Sequence, residues 1–219
     1  MKIKISNINS IKEWTYNRDL KRFRSAITKR ILDHVNKKDR LASYLSNKFL
    51  IDYMEKNKID PCQASYIDNK KWIIKSSSKF FSASRSGDYV IFGEDNIPLG
   101  IDIQKMDNRF EFLDIATRLF SRHELNSVLT SLDPMFTFYE IWGNKESLYK
   151  CVNEPVNVHN LQLQGKKEKW YATFKNHKYH FKNIIYDNDY MISICSFHPI
   201  TDEIIYKDTQ DHEEQEDDE

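Results

Sequence analysis

The sequence predicts an α+β protein built from two similar α/β halves packed against each other. Residues 18–56 carry apolar side chains at helical spacing. Residues 80–103 switch to short β-type runs separated by turn residues. The same order then repeats, with helical segments from 109 to 152 and strand-like runs from 158 to 197. At 219 residues the chain is long enough for one sizeable domain or two small lobes sharing a core.

The elements follow in order. Lys2 to Ser6 alternates apolar and polar residues and reads as a first strand. Residues 18 to 35 read as one basic helix, with Leu20, Phe23, Ile27, Ile31 and Val35 on its inner face, until Asn36 to Arg40 breaks the pattern. A second helix runs from about Asp39 to Lys56, burying Leu41, Tyr44, Leu45, Phe49 and Met54, and stops before Ile59-Asp60-Pro61. Strands are expected at Phe80 to Ser84, Asp88 to Gly93 and Leu99 to Ile103, with Arg85-Ser86-Gly87 and Asp95-Asn96-Ile97-Pro98 as turns. Helices follow at Arg109 to Phe120, Arg122 to Leu129 and about Phe136 to Val152, the last set off by Asp133-Pro134. Closing strands are expected at Val158 to Leu163, Trp170 to Phe174, Tyr179 to Tyr186 and Tyr190 to Phe197. This divides the chain into an N-terminal half (1–103), a C-terminal half (104–207) and a tail (208–219).

Composition narrows the function classes. Hydrophobic residues make up 40% and charged residues 30%, ordinary for a soluble protein and unlike a membrane span. No apolar window reaches 18 residues, and Met1 to Ser6 lacks the apolar run of a signal peptide. Three widely spaced cysteines (Cys62, Cys151 and Cys195) suggest neither a disulfide framework nor a zinc site, so a cytoplasmic protein with reduced thiols is expected. The formal net charge of zero conceals an asymmetry: residues 208–219 carry eight acids and no Lys or Arg. That tail is too polar to bury anything and is expected to be disordered. The remaining 207 residues are basic, which suits a phosphate-bearing cofactor or an acidic protein; on charge alone nucleic acid also fits.

Three stretches can carry chemistry. In Trp142-Gly-Asn-Lys-Glu-Ser-Leu-Tyr-Lys150, a helix places Trp142, Glu146, Tyr149 and Lys150 close to one face. Glu146 and Lys150 are then either a plain surface ion pair or an acid and an ammonium serving one site. In Gly100-Ile-Asp-Ile-Gln104, Asp102 and Gln104 leave the same face of a strand, with Ile101 and Ile103 in the opposite layer. Asp102 is either a structural carboxylate or, with Gln104 and a Glu from a facing helix, part of an oxygen-only site suited to Mg²⁺ and phosphate chemistry. Phe81-Ser-Ala-Ser-Arg-Ser-Gly87 offers hydroxyls, amides and a guanidinium to a phosphate, although a tight turn accounts for Gly87 without one.

Together these stretches resemble the 4′-phosphopantetheinyl transferases of the surfactin-synthetase-activating type. That family runs Phe-Asn-x-Ser-His-Ser-Gly, then Gly-x-Asp-x-Glu, then Trp-Ser/Thr-x-Lys-Glu-Ser/Ala-x-x-Lys, in this order and at similar separations. Phe120-Ser-Arg-His-Glu124 is similar to its Phe-Ser-x-x-Glu, and Met191 to Pro199 to its closing strand. The resemblance implies a pseudo-twofold fold with coenzyme A and Mg²⁺ held between the halves. The phosphopantetheine arm of coenzyme A would pass to a serine of an acyl or peptidyl carrier protein, releasing adenosine 3′,5′-bisphosphate. It implies Asp102, Gln104 and Glu146 as metal ligands and Glu146 as general base. Lys150 would hold the pyrophosphate, and Glu124 would bind water or assist proton transfer. Ser84, Arg85, Lys71, Lys37 and Arg40 would contact the coenzyme's phosphates. The carrier would dock near residues 110–137 through Phe112, Ile115, Leu119, Leu125, Met135 and Phe136, and the protein would be a monomer binding neither nucleic acid nor membrane.

The sequence departs from the pattern at Arg85 (for His), Gln104 (for Glu) and Ala42 (for a basic residue). Lys70-Lys71-Trp72 lacks the usual Gly-Lys/Arg-Pro, and Cys151 to Pro155 lacks the Gly-rich turn that usually follows the helix. A relative that binds coenzyme A or a carrier without transfer is the alternative, favoured by Gln104.

Overall fold

The computed structural model describes residues 1–67, 71–108, 111–152, 156–166, 169–201 and 205–208. The fold is α+β, as the sequence predicts. Its elements are β1 (Lys2–Asn7), α1 (Glu13–Arg22), α2 (Ser25–Leu32), α3 (Lys37–Lys56), β2 (Ala64–Ile67), β3 (Lys71–Ile74), β4 (Phe80–Ser86), β5 (Tyr89–Asp95) and β6 (Leu99–Lys105). Then follow α4 (Phe112–Leu119), α5 (Arg122–Leu129), α6 (Pro134–Cys151), β7 (Leu163–Gln164), β8 (Tyr171–Phe174), β9 (His177–Tyr186), β10 (Tyr190–Ser196) and β11 (Ile205–Asp208). One sheet has the order β11-β1-β5-β4, another β6-β10-β9-β8-β7, and β2 and β3 form a separate hairpin. Thus β6 joins the sheet of the later strands, while β11 returns to pair with the first strand of the chain.

Strand alternation decides the layering. In β5, Val90 and Phe92 face α3, packing with Tyr44, Leu45 and Phe49, whereas Ile91 faces the other way. There it meets Ile3 and Ile5 of β1, Ile101 and Ile103 of β6, and Ile192 and Ile194 of β10. The two large sheets therefore share a largely aliphatic core. The far side of β10 presents Met191 and Cys195 to a third cluster built with Phe138, Ile141 and Leu148 of α6. Burial of such side chains contributes roughly 1.5–3 kcal/mol each.

Several expectations are corrected. Residues 18–35 form two helices, because Phe23 adopts an extended backbone (ψ 151°) that ends α1 before α2 begins. Val35 is 95% exposed, lying past α2 where helical spacing no longer applies. The turn between β4 and β5 falls at Gly87-Asp88, so Arg85 and Ser86 remain in the strand. Val158 to Leu163 is a 3₁₀ turn (Val158–Asn160) followed by the two-residue β7. The tail begins one residue later than expected, since Asp208 ends β11; residues 209–219 lie outside the described residues. No helix among the described residues is long and apolar enough to cross a membrane.

Candidate active site

The site begins at β6, where Ile101 and Ile103 are locked into the core between the sheets and Asp102 must face α6. α6 comes close because Gly100 has no side chain: a Cβ there would sit 1.7 Å from the Ser147 carbonyl oxygen. That approach brings Lys150 to the strand. Its Nζ donates to Asp102 Oδ1 at 2.6 Å and to the Ile101 carbonyl at 3.1 Å. Asp102 is 2% exposed and accepts two further bonds, from Ser84 Oγ (2.7 Å, Oδ1) and from Gln104 Nε2 (2.8 Å, Oδ2). A carboxylate this buried needs such donors, since an unpaired one costs several kcal/mol. Lys150 keeps 20% of its side chain exposed, so the pair is open on one side.

Glu146 stands one helical turn before Lys150 and opens on a neighbouring cleft of about 330 Å³. Trp142, Tyr149, Leu119 and residues 156–158 line the same cleft. The spacing of four keeps the two side chains adjacent on α6. The structure thus brings Asp102, Gln104, Ser84 and Lys150 into direct contact, and sets Glu146 beside them along the helix.

Glu124 sits elsewhere. It is 0% exposed and closes a capping box at the start of α5, with Ser121 N–H donating to Oε2 at 2.6 Å. Lys145 Nζ lies 3.0 Å from both of its oxygens and donates as well to the Leu161 carbonyl; the Leu163 N–H donates to Oε1 at 2.7 Å. The bonds of Lys145 and Leu163 tie α5, α6 and the approach to β7 together. The carboxylate is enclosed by these donors, and the contacts it makes are those of an anchor.

A third group assembles at the start of α3. Arg85 donates to the Asp39 carbonyl at 2.8 Å, with the Asp39 carboxylate at 3.8 Å, and so reaches the helical turn that carries Lys37 and Arg40. Arg40 itself donates to the His34 and Val35 carbonyls. Lys38 pairs with Asp88 at 2.7 Å, and that bond holds the Asp88 carboxyl below the usual range. Basic residues in a first helical turn oppose the helix dipole, an arrangement that an anion would relieve. Ser84 and Arg85 leave opposite faces of β4, one toward Asp102 and one toward α3. The backbone of Lys71 belongs to β3; its side chain lies outside the described residues.

The serines of β4 carry a role that the sequence reading missed. Ser82 Oγ accepts the Ile101 N–H (3.0 Å), Ser84 donates to Asp102, and Ser86 Oγ accepts the Lys105 N–H (2.8 Å). β4 and β6 are edge strands of different sheets, and this row of hydroxyls satisfies free amides of β6. The spacing Ser82-x-Ser84-x-Ser86 was the available signal. Lys145 was missed as well: it stands inside the helix motif and carried no assigned role, although Ser121-x-x-Glu124 spells a capping box that already ties Glu124 to the start of a helix.

Among the described residues no group of three or more His, Cys, Asp and Glu could hold a metal ion. The candidate donors are two carboxylates and an amide, Asp102, Glu146 and Gln104. They supply oxygen only, as Mg²⁺ prefers, provided the Gln104 amide turns its oxygen where it now points nitrogen. Burial, reinforced by a hydrogen bond with Cys151, pushes the Cys195 thiol well above its usual range.

Comparison with known proteins converges on this region. Residues 98–195, which span β6 to β10, match the family model of the 4′-phosphopantetheinyl transferase superfamily. The chain is 28% identical over 137 residues to a 4′-phosphopantetheinyl transferase of Bacillus subtilis, covering 59% of this chain and 60% of that one. It is 30% identical over 126 residues to 4′-phosphopantetheinyl transferase Sfp of Bacillus subtilis (strain 168), covering 54% and 55%. To 4′-phosphopantetheinyl transferase ffp of Bacillus subtilis it is 26% identical over 166 residues, covering 73% of each. The matches thus span a little over half the length of the first two relatives.

Proposed function

We propose that this chain, whose residues 98–195 match the family model of the 4′-phosphopantetheinyl transferase superfamily, moves the phosphopantetheine arm of coenzyme A onto a serine of an acyl or peptidyl carrier protein. The observation that carries the reading is the Lys150–Asp102 contact at 2.6 Å, one helical turn from Glu146 on its cleft. In the reaction the serine oxygen bonds to the pantetheine-side phosphorus of the coenzyme's pyrophosphate. The bond from that phosphorus to the bridging oxygen breaks, and adenosine 3′,5′-bisphosphate leaves with the electron pair. Glu146 takes the serine proton, directly or through water. Lys150, already oriented by Asp102 and the Ile101 carbonyl, turns its ammonium to the pyrophosphate and stabilises the charge on the leaving oxygen. Asp102, Gln104 and Glu146 would hold Mg²⁺, which neutralises a pyrophosphate and aligns it for displacement.

Arg85, Lys37 and Arg40, gathered at the start of α3, take the adenosine-side phosphates in this reading. Ser84 holds Asp102 in place. Glu124 and Lys145 fix α6 against α5. The carrier docks near residues 110–137, although Phe112, Ile115, Leu119, Leu125, Met135 and Phe136 pack against the core; among the described residues the large apolar side chains exposed there are Leu113, Leu129 and Leu132. The two sheets meeting at β4 and β6 support the pseudo-twofold reading, with a monomer working in the cytoplasm, away from nucleic acid and membrane.

Incubation with labelled coenzyme A, Mg²⁺ and a panel of carrier proteins, read by mass, tests the proposal. A gain of one phosphopantetheine is expected, and a Glu146→Ala variant with an unchanged rate would sink the assigned mechanism. Binding without transfer is the second reading, favoured by the Gln104 amide donating its nitrogen to Asp102. It predicts saturable binding of coenzyme A with no carrier modified.

A further inference from the structure

The acidity of the last residues has no use in the site described above. Residues 209–219 hold seven carboxylates and no Lys or Arg. Where they leave the fold is set by β11, which pairs with β1 in parallel, Asp208 lying opposite Ile5. Chain leaving Asp208 therefore heads the same way as β1, which continues into a 3₁₀ turn (Ile8–Ser10) and then α1. An antiparallel edge strand would have released it at the other end of the sheet. At this end the Ile8 N–H donates to the Asp88 carbonyl (2.8 Å), and Asp88 holds Lys38. The tail thus emerges about three residues, or roughly 10 Å of chain, short of the position where β1 meets the start of α3.

The surface waiting there is strongly basic. Residues 12–40 contain ten Lys and Arg against four Asp and Glu. One of the four, Asp19, is buried and committed to Tyr44, Arg18 and Lys48. Lys12, Lys21, Lys29 and Lys37 are exposed and have no carboxylate partner among the described residues. Eleven residues can extend about 35–40 Å, several times the distance to the start of α3 and longer than α1 or α2, which at about 1.5 Å per residue measure roughly 15 and 12 Å.

We propose that residues 209–219 dock on the basic face formed by α1, α2 and the first turn of α3, an internal anion that competes with phosphate-bearing ligands for Lys37, Arg40 and Arg85. Docking stands on charge and chain direction; the competition rests on the proposed function of that cluster. Tethering supplies the tail at an effective concentration of the millimolar order, so weak exposed ion pairs suffice to populate the contact. Salt screens them, and a tightly bound polyphosphate displaces them.

Zero-length carbodiimide coupling of the full chain, mapped by mass, tests the docking. Tail carboxylates should couple to Lys12, Lys21, Lys29 and Lys37, and the yield should collapse at about 0.5 M salt, where the screening length falls to a few Å. Coupling mainly to Lys175, Lys178 or Lys182 of the far sheet, or a yield indifferent to salt, overturns it. The competition is read with inorganic pyrophosphate as probe. A full-length variant with all seven tail acids changed to Asn or Gln should bind it severalfold more tightly than the parent at low salt and equally at high salt. Equal affinities at low salt overturn the competition. Salt-sensitive tail coupling in a chain that binds no coenzyme A upholds the docking while refuting the transferase reading.

Discussion

α6 carries two lysines five positions apart, each paired with a carboxylate of another element, and the two pairs are built to opposite ends. Lys145 and Glu124 are both fully buried, and the Glu124 oxygens receive backbone N–H bonds from Ser121 and Leu163 beside the ammonium. Lys150 and Asp102 are shorter (2.6 against 3.0 Å) yet less enclosed, with Lys150 20% exposed and the other Asp102 contacts made by the Ser84 hydroxyl and the Gln104 amide. One pair is held mainly by backbone and cannot rearrange without parting three elements. The other is held by side chains that can rotate. A site that must receive and release a charged ligand can use only the second kind, so under the proposed function the same ion-pair chemistry would serve anchoring at one turn of the helix and catalysis at the next.

Replacing one lysine at a time tests this contrast most severely. Lys145→Met leaves a buried, uncompensated carboxylate and should lower stability by about 3–5 kcal/mol. The double variant Glu124→Leu/Lys145→Met should recover a large part of the loss, because the desolvated charge goes with it. Lys150→Met, at a side chain already 20% exposed and with Ser84 and Gln104 still donating to Asp102, should cost markedly less. Urea unfolding of the three variants checks the order. Equal losses at the two lysines would break the distinction.

Activity should invert that ranking. In the transfer assay, Lys150→Ala and Glu146→Ala are expected to lose on the order of 10²–10³ in rate, about 2.7–4 kcal/mol of barrier, while their unfolding midpoints move little. Any Lys145 variant that still folds should keep its rate within a few-fold. A Glu124→Gln variant that folds normally yet loses the pH dependence of transfer would instead return Glu124 to proton transfer.

Smaller effects probe how β6 is presented to α6. Ser82→Ala leaves the Ile101 N–H, now satisfied by that hydroxyl, without its partner at the strand edge. A loss of about 1–3 kcal/mol is expected, read by the same unfolding measurements. A loss near zero would mean that water replaces the hydroxyl and that the serine row contributes little to joining the sheets.

Much of this was legible in the chain before its fold was seen. Alternation in Leu99 to Gln104 places Ile101 and Ile103 in one layer and Asp102 in the other, because strand geometry leaves no choice. Helical spacing likewise puts Glu146 and Lys150 on one face. The partners of those side chains were not legible. Spacing alone cannot say that Lys145 turns inward to Glu124 while Lys150 reaches Asp102, since the choice depends on how closely α6 lies on β6. That closeness is set by one missing Cβ at Gly100 and by packing across residues far apart in sequence. β11 escaped for a related reason: a four-residue edge strand before an acidic run has no periodicity of its own and is fixed by pairing with β1.

Gln104 is the residue on which the two pairs differ most finely, and changing it should produce the smallest effect. Its amide nitrogen now holds Asp102 Oδ2 at 2.8 Å, a bond that a glutamate could not donate when ionised. Gln104→Glu should therefore lower stability slightly in the absence of Mg²⁺, because two carboxylates on one strand face repel and one is driven toward its protonated form. With Mg²⁺ the sign should reverse: the added charge binds the ion more tightly, and the concentration giving half-maximal rate should fall several-fold. Unfolding titrations with and without Mg²⁺, set beside the Mg²⁺ dependence of transfer, separate the two effects. A variant that gains no Mg²⁺ affinity would place the metal away from β6. The Lys150–Asp102 pair would then be a second anchor, and the contrast with Lys145–Glu124 would reduce to a difference in exposure.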